Sequence, residues 1–266
     1  MSRQLLETDQ KALEVNLNDS IYGTFAEIGA GQEVARHFFQ VGAAAGTIAK
    51  TMSAYDKLVS DDIYGLEQSG RYVCESRIYK MLDHEYTLMT DRLRKHRPNT
   101  RFFVFANSIA ALNYSRTIKG NGWMGVRFQL DPDKEPNDLV LHVKMKDKDN
   151  TLQQQAIGIL GVNMIYGCYK YYKEPESLLQ SLIDGLHGRI EIDMVRLTGP
   201  EFSDLDNRLL ALYLIRNKIC KVTMFGPNKE PVHGSEFLYR KNPLLVRGSF
   251  RPVTKVNWNM IQSGIK

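Results

Sequence analysis

The sequence predicts an α/β or α+β protein in which a helical N-terminal third is followed by a mixed sheet with packed helices. Two long stretches before residue 98 repeat apolar residues at the helical period of three to four positions. Between residues 101 and 145, three short runs rich in aromatic and β-branched residues are typical of strands. We expect one compact unit, 1–266, either undivided or with two lobes, 1–100 mostly helical and 101–266 a mixed sheet with helices.

The composition favours a cytoplasmic protein that is not embedded in a membrane. Hydrophobic residues make up 43% of the 266 residues, and charged residues 24%, which is ordinary for a globular chain. The three cysteines are far apart and show no CxxC spacing, so the pattern predicts neither a cysteine zinc site nor a disulfide framework. The first 19 residues carry acids where a signal peptide needs an apolar core, and the longest apolar stretch, 156–172, is interrupted by Asn163 and Lys170.

The formal net charge of +5 permits anionic ligands but does not require nucleic acid. The basic run 92–101 leaves a weak nucleic-acid-binding role open. No aromatic residues are interleaved there, and basic residues are also common at the end of a helix.

Helices are predicted for the first hundred residues at 2–15, from Val34 to about Met52, and from Cys74 to Pro98. Within the second helix, Gly42 and Gly46 lie four residues apart, and we expect them to allow close backbone packing against a neighbour.

Strands and helices alternate after residue 100. The Asn-Gly pair in "KGNG" (119–122) predicts a hairpin turn, and 131–138 predicts a longer connection. The predicted strands are 101–107, 123–130, 138–145, 189–197 and 221–226. The predicted helices are 152–172, 176–186 and 206–219.

The first candidate binding site lies in "IYGTFAEIGAGQEVARHFF" (21–39), where a strand ends in a glycine-rich turn before a helix. Glycines let the backbone approach a ligand, and a helix N-terminus offers free N–H donors to a phosphate. The candidate cofactor-binding residues are Glu27, Gly29, Gly31, Gln32 and Arg36. The third glycine of a dinucleotide fingerprint and its later acid are missing, so a structural turn is the alternative.

A second group of candidates lies between residues 50 and 85. Lys50 belongs to a loop rich in hydrogen-bonding groups, and Arg77 and Lys80 could hold phosphates. His84 and Glu85 are candidate acid–base catalysts. The alternative is a solvated loop and a helix surface of paired charges.

The strand 189–197 carries the candidate metal site. Its alternation predicts Ile190, Ile192 and Met194 on one face, with Glu191 and Asp193 on the other. Paired acids on one strand hold Mg²⁺ in many nucleotidyltransferases, so Glu191 and Asp193 are also candidate catalytic residues. The spelling Glu-Ile-Asp-Met fits the polymerase-beta-like pattern, although the Gly-Ser motif expected upstream of it is absent.

Six segments together resemble one bacterial family over essentially the whole chain. They are "IYGTFAEIGAGQEVARHFFQVGAAAGTIAKTMSAYD", "GRYVCESRIYKMLDHE", "GWMGVRFQLDP", "IGILGVNMIYG", "RIEIDMVRL" and "RGSFRPVT". Members of this family often carry the label nicotinate-nucleotide adenylyltransferase, and sometimes TonB-dependent receptor, and they commonly continue past the region that matches "RPVT". The resemblance implies an adenylyltransferase: Gly23-Thr24-Phe25 matches the start of such enzymes, whereas His37 stands alone where paired histidines would follow.

These observations favour a nucleotide- or dinucleotide-binding protein, with nucleotidyl or adenylyl transfer as its implied chemistry. Mg²⁺, and NAD or ATP, are the cofactors that the candidate sites would take. A non-catalytic scaffold or interaction module is the alternative, and a homo-oligomer stays open.

Overall fold

One mixed sheet organises the chain, of which a computed structural model describes residues 3–115, 117 and 119–265. Its strands among these residues are β1 (Ile21–Gly29), β2 (Ile48–Ala54), β3 (Arg101–Ala110), β4 (Asn121–Phe128), β5 (Asn137–Met145) and β6 (Ile190–Thr198). They lie in the order β2-β1-β3-β4-β5-β6. β1 is parallel to both of its neighbours, whereas β3 to β6 form an antiparallel meander. The predicted fold class is confirmed.

Helices cover both faces of the sheet. Those in the described residues are α1 (Thr8–Asn16), α2 (Val34–Gln40), α3 (Lys57–Tyr64), α4 (Glu75–Leu93), α5 (Asn150–Lys170), α6 (Pro175–Leu182), α7 (Asn207–Arg216), α8 (Gly234–Phe237) and α9 (Lys255–Ile265). None of these helices is long and apolar enough to cross a membrane.

Two hydrophobic cores hold the layers together, one on each face. The larger core joins the sheet to α1, α2, α5, α6 and α7, and Phe25, Phe103 and Phe105 lie at its centre. The smaller core joins the other face to α3 and α4 around Trp123 and Val140. Burying one such aromatic side chain stabilises the fold by about 1.5–3 kcal/mol, so these contacts fix which face each helix covers.

The chain between Val34 and Met52 departs from the single helix that its periodicity predicts. α2 ends at Gln40, because Gly42 takes a left-handed conformation with φ of 83°. Asn16 donates from Nδ2 to the carbonyl oxygens of Phe38 and Gly42, at 2.8 and 2.7 Å, and so satisfies the helix end. A Cβ atom on Gly42 would meet nothing within 4 Å, so this glycine turns the chain and does not serve close packing.

Two further details of the strands differ from the sequence prediction. Asn121 and Gly122 begin β4 and are not a hairpin turn. Gly122 is required there because a Cβ atom would lie 2.8 Å from the carbonyl oxygen of Ser108 on the neighbouring strand. The strand predicted at 221–226 is only β7 (Met224–Phe225), which pairs with β8 (Pro231–Val232) in a small hairpin.

Candidate functional site

A cavity of about 1010 Å³ opens where the ends of β4, β5 and β6 meet the β7–β8 hairpin. Cationic residues outnumber acidic ones in its lining, and we call it the basic cavity. Its charged lining residues are Arg71, Lys119, Lys144, Lys146, Asp147, Lys148, Glu191 and Asp193, with His142 and His233 beside them. Five cations and three carboxylates therefore face one space, which favours an anionic ligand.

Each carboxylate of the basic cavity already has a cationic partner. Lys144 Nζ is 2.5 Å from Asp193 Oδ2, and Lys146 Nζ is 3.2 Å from Glu191 Oε2. Asp147 is paired with Arg189 at 2.8 Å. The cations Arg71, Lys119 and Lys148 have no carboxylate within ion-pair distance among the residues that the structure describes, so they carry the positive excess.

Two histidines and one aspartate form a buried cluster in the wall of the basic cavity, which we call the His–Asp–His cluster: His142, Asp193 and His233. His142 Nδ1 lies 2.6 Å from Asp193 Oδ1, and His233 Nε2 lies 3.4 Å from Asp193 Oδ2. The two imidazole rings stack with their centroids 3.9 Å apart. Trp123 contacts both rings edge-on, at 5.1 and 5.5 Å, and so fixes their orientation from the core side.

A β-bulge brings Asp193 into this cluster. Val143 pairs with Ile192 and His142 pairs with Met194, which leaves Asp193 as an extra residue on β6. A bulge bends the strand and re-aims the inserted side chain. It also puts Met194 in the smaller core, on the face opposite Ile192, so the predicted grouping of Ile190, Ile192 and Met194 on one face is wrong.

Burial and hydrogen bonding set the ionisation of the cluster. Burial lowers the pKa of His142 despite the neighbouring carboxylate, so its imidazole is neutral at neutral pH. Burial alone would raise the pKa of Asp193, but hydrogen bonds from His142, His233 and Lys144 outweigh it and hold that pKa well below its usual range. The cluster therefore combines a permanent carboxylate with a neutral imidazole, which suits proton transfer or metal binding.

Glu191 and Asp193, the pair that the sequence predicts to bind a metal and to act in catalysis, both line the basic cavity but make different contacts. Asp193 joins the two histidines, whereas Glu191 lies beside Lys146. The structure thus brings Glu191 and Asp193 to one cavity and adds imidazole neighbours to Asp193 alone.

Glu27, predicted to bind a cofactor, is a buried carboxyl group at the start of α2. Its Oε1 accepts a hydrogen bond from the N–H of Val34 at 3.0 Å. Burial raises the pKa of Glu27 to about 7, even though backbone donors at Val34 and Ala35 oppose the shift. A side chain of the protein thus occupies the helix N-terminus where the sequence pattern suggests a phosphate, and α2 has only seven residues.

Gly29 and Gly31 are needed for the path of the chain. Gly29 has a φ of 76°, and a Cβ atom on it would lie 2.3 Å from the carbonyl oxygen of Ile109. The carbonyl oxygen of Gly31 accepts a hydrogen bond from Asn107 Nδ2 at 2.9 Å, and a Cβ atom on Gly31 would lie 2.5 Å from Asn107 Oδ1. Both glycines let the turn pack against β3.

Gln32 and Arg36 line a second, smaller cavity of about 460 Å³ with Glu27. The guanidinium of Arg36 is exposed and lies 3.1 Å from the carboxylate of Glu33. This second cavity therefore contains most of the cofactor-binding residues predicted in the turn, together with one titratable buried acid, Glu27.

Lys50, His84 and Glu85 lie on the α4 side of the sheet. Lys50 forms an ion pair with Glu85, and Tyr64 donates to the same carboxylate at 2.8 Å. His84 is exposed and contacts the Tyr64 ring edge-on at 5.4 Å. The structure thus joins a predicted binding residue to a predicted catalytic one, in a network that ties α3 and α4 to β2.

Arg77 and Lys80, predicted to hold phosphates, contact carboxylates of this chain. Arg77 is fully buried, and it donates to Asp61 Oδ1 at 2.5 Å and to the carbonyl oxygen of Ser60 at 3.0 Å. Lys80 Nζ lies 3.1 Å from Glu67 Oε1. These contacts hold the α3–α4 connection in place.

Cations of the basic run 92–101 also have partners within the chain. Arg94 donates to the carbonyl oxygen of Thr100 at 3.0 Å and to Gln129 Oε1 at 2.6 Å. The guanidinium of Arg97 lies 3.8 Å from the centre of the Tyr22 ring. Part of the run thus serves to hold the end of α4 against the sheet.

Sequence reasoning did not select His142, His233 or Lys144. The alternation of "DLVLHVKM" contained a usable signal, because it places His142 and Lys144 on one face of a strand. His233 lies in an irregular segment just before α8, where no periodicity marks it.

Comparisons with known proteins find only distant similarity to solved structures. No protein-family model and no curated protein matches the chain. Among solved structures, the competence/damage inducible protein CihA from Agrobacterium tumefaciens has a TM-score of 0.42 and 14% identity, covering 62% of this chain and 97% of that chain. A competence-damaged (CinA) superfamily protein from Escherichia coli has a TM-score of 0.42 and 12% identity, and the match covers 62% of this chain and 94% of that chain. Similarity this low carries no argument about function.

Proposed function

We propose that this protein binds a phosphate-bearing small molecule of the nucleotide class in the basic cavity. The observation that carries the proposal is the positive excess of Arg71, Lys119 and Lys148 around one large space. Charge-assisted hydrogen bonds from such cations to phosphate oxygens are about twice as strong as neutral ones. A volume of about 1010 Å³ is at the upper end of the range for small-molecule sites and accommodates a mononucleotide or a dinucleotide.

Adenylyl transfer, the activity that the resemblance implies, is the finer part of this proposal. In the metal-free protein His142 would be the candidate acid–base group, since Asp193 is in hydrogen-bond contact with its Nδ1 atom at 2.6 Å. Release of pyrophosphate from ATP in the presence of nicotinate mononucleotide is the assay. Wild-type turnover that is lost in His142→Gln supports the transferase assignment, and equal turnover in both proteins contradicts it.

Thermal-shift titration tests the binding proposal directly. ATP, NAD, nicotinate mononucleotide and inorganic phosphate are added separately, each with and without Mg²⁺. A ligand that binds only the folded state adds about 2.7 kcal/mol to the free energy of unfolding at a hundredfold excess over its Kd. We expect at least one nucleotide to raise the Tm more than inorganic phosphate does.

Variants locate the site. The double variant K119Q/K148Q is expected to weaken nucleotide binding by about tenfold or more, because it removes two cations that have no carboxylate partner within the described part of the chain. Lys95→Gln, an exposed lysine in the run 92–101, is the matched control and should bind as the wild type does. No Tm shift with any nucleotide, or loss of binding only in Arg36→Gln at the second cavity, would contradict the assignment to the basic cavity.

A further inference from the structure

We infer that the His–Asp–His cluster is a binding site for a divalent transition metal, with Zn²⁺ as the best-fitting ion. His142 comes from β5, Asp193 from the bulge of β6 and His233 from the segment before α8, and their ligand atoms all lie within 4.8 Å of one another. Two imidazoles and one carboxylate are a common ligand set for catalytic zinc, which keeps a fourth position open. Imidazole nitrogens favour zinc, iron or nickel over Mg²⁺.

The hydrogen-bond partners outside the cluster support this ligand set. His142 Nε2 faces Asn121 Oδ1 at 3.4 Å, and His233 Nδ1 lies 3.0 Å from Ser235 Oγ. Metal-binding histidines usually donate from the ring nitrogen that does not touch the metal to an oxygen acceptor of this kind. A metal bound at Nδ1 of His142 and Nε2 of His233 would leave the protonated nitrogen of each ring facing one of these acceptors.

The distances require a small adjustment at one contact. Two ligands of a tetrahedral zinc ion stand about 3.3 Å apart, given zinc–ligand bonds of about 2.0–2.1 Å. The separation of 3.4 Å between His233 Nε2 and Asp193 Oδ2 meets this requirement. The 2.6 Å contact between His142 Nδ1 and Asp193 Oδ1 must open by about 0.7 Å. The proton on Nδ1 then moves to Nε2, beside Asn121.

A metal ion bound by the His–Asp–His cluster would face the basic cavity. The cluster lies in the wall of the basic cavity, so an open coordination position would face the space that the cationic residues surround. The inference goes beyond the proposed function and does not depend on it, because it rests on the three side chains and their acceptors alone.

The experiment is isothermal titration calorimetry with zinc chloride alone, after chelator treatment, in a buffer without any phosphate compound. We expect one high-affinity equivalent per chain in the wild type. His142→Gln, Asp193→Asn and His233→Gln should each weaken it by about 100-fold or more, since even outer-shell partners of a metal ligand are worth 10- to 100-fold. Circular dichroism of each variant checks that it is folded.

Two control variants separate this site from other sources of binding. Glu191→Gln lines the same cavity and should change the affinity for zinc by only about threefold, because its charge lies about 7 Å along the strand. His84→Gln removes an exposed histidine on α4, away from the cluster, and should leave the affinity for zinc unchanged. Zinc binding that survives His233→Gln, or that is lost in His84→Gln, would overturn the inference.

Lys144→Met gives a result that a merely structural cluster would not produce. Its ammonium lies 2.5 Å from Asp193 Oδ2 and repels a metal ion, so its removal should tighten zinc binding by about fourfold or more. The same change should weaken a phosphate-bearing ligand. Weaker zinc binding in Lys144→Met would contradict the metal site, and a negative zinc titration leaves the nucleotide proposal standing.

The substitution of cobalt for zinc provides a measurement on the wild-type protein itself. Co²⁺ in a site with nitrogen and oxygen ligands absorbs visible light with an intensity that reports its coordination number. We expect a tetrahedral or five-coordinate spectrum that one equivalent of zinc abolishes. A spectrum identical to that of hydrated Co²⁺ would refute the site without any substitution.

Discussion

Replacement of the buried carboxyl group of Glu27 by an amide is expected to make the protein less sensitive to alkaline pH. Glu27 is 5% exposed, and its pKa is raised by burial from 4.5 to about 7. The folded protein therefore binds a proton at this position more tightly than the unfolded chain does. The stabilisation by that proton is complete below pH 4.5 and is lost as the pH rises through about 7.

The size of this change in stability follows from the shift in the pKa of Glu27. One pKa unit corresponds to 1.36 kcal/mol, so a shift of about 2.5 units makes ionised Glu27 cost about 3 kcal/mol at pH 8 relative to pH 4.5. Glu27→Gln cannot ionise and does not have this dependence. The difference in free energy of unfolding, variant minus wild type, should therefore grow by about 3 kcal/mol from pH 4.5 to pH 8. The amide nitrogen facing the N–H of Ala35 adds an offset that does not depend on pH.

Urea denaturation at a series of pH values measures this difference directly. Gln32→Ala, in the same turn and in the wall of the same cavity, carries no ionisable group and should give a flat difference curve. A flat curve for Glu27→Gln as well would refute the raised pKa, and so would a difference that shrinks as the pH rises.

Two stability predictions concern other buried positions. Arg77→Ala is expected to destabilise the protein by about 2–4 kcal/mol in urea denaturation, because it removes a fully buried guanidinium and leaves Asp61 with only the partly exposed Lys57 as a cationic partner; a loss below about 1 kcal/mol would contradict this. Gly161→Ala should cost about 1–3 kcal/mol, because its Cβ atom would lie 2.3 Å from Val34 Cγ2. Gly46→Ala, whose Cβ atom would meet nothing closer than 3.9 Å, is the control, and equal losses at both glycines would refute the packing argument.

Local sequence patterns were sufficient to predict the helices and strands whose apolar residues recur at regular spacing. α4 and α5 carry apolar residues at helical spacing over 19 and 21 residues, and β3, β4 and β5 carry uninterrupted apolar runs. Such signals depend on residues three or four positions apart along a helix or adjacent along a strand. They also placed Glu191 and Asp193 on β6, and the glycine turn between β1 and α2.

The tertiary structure decided what each polar side chain contacts. Arg77 is buried against Asp61, 16 residues away, and Lys50 pairs with Glu85, 35 residues away, so neither partner could be found from local spacing. The end of α2 at Gln40 depends on Asn16, which caps it from α1. A helical period cannot reveal such a contact, because it describes one face of one segment.

The His–Asp–His cluster shows most clearly what local sequence patterns could not predict. His142 and Asp193 lie 51 residues apart and meet only because β5 and β6 are neighbours in the sheet and a bulge turns Asp193 towards β5. His233 completes the cluster from an irregular segment. The sequence by itself specified the strands and supplied the residue types, whereas sheet pairing, the bulge and the packing of Trp123 against both imidazoles determined the site, because each is a contact between segments distant in the chain.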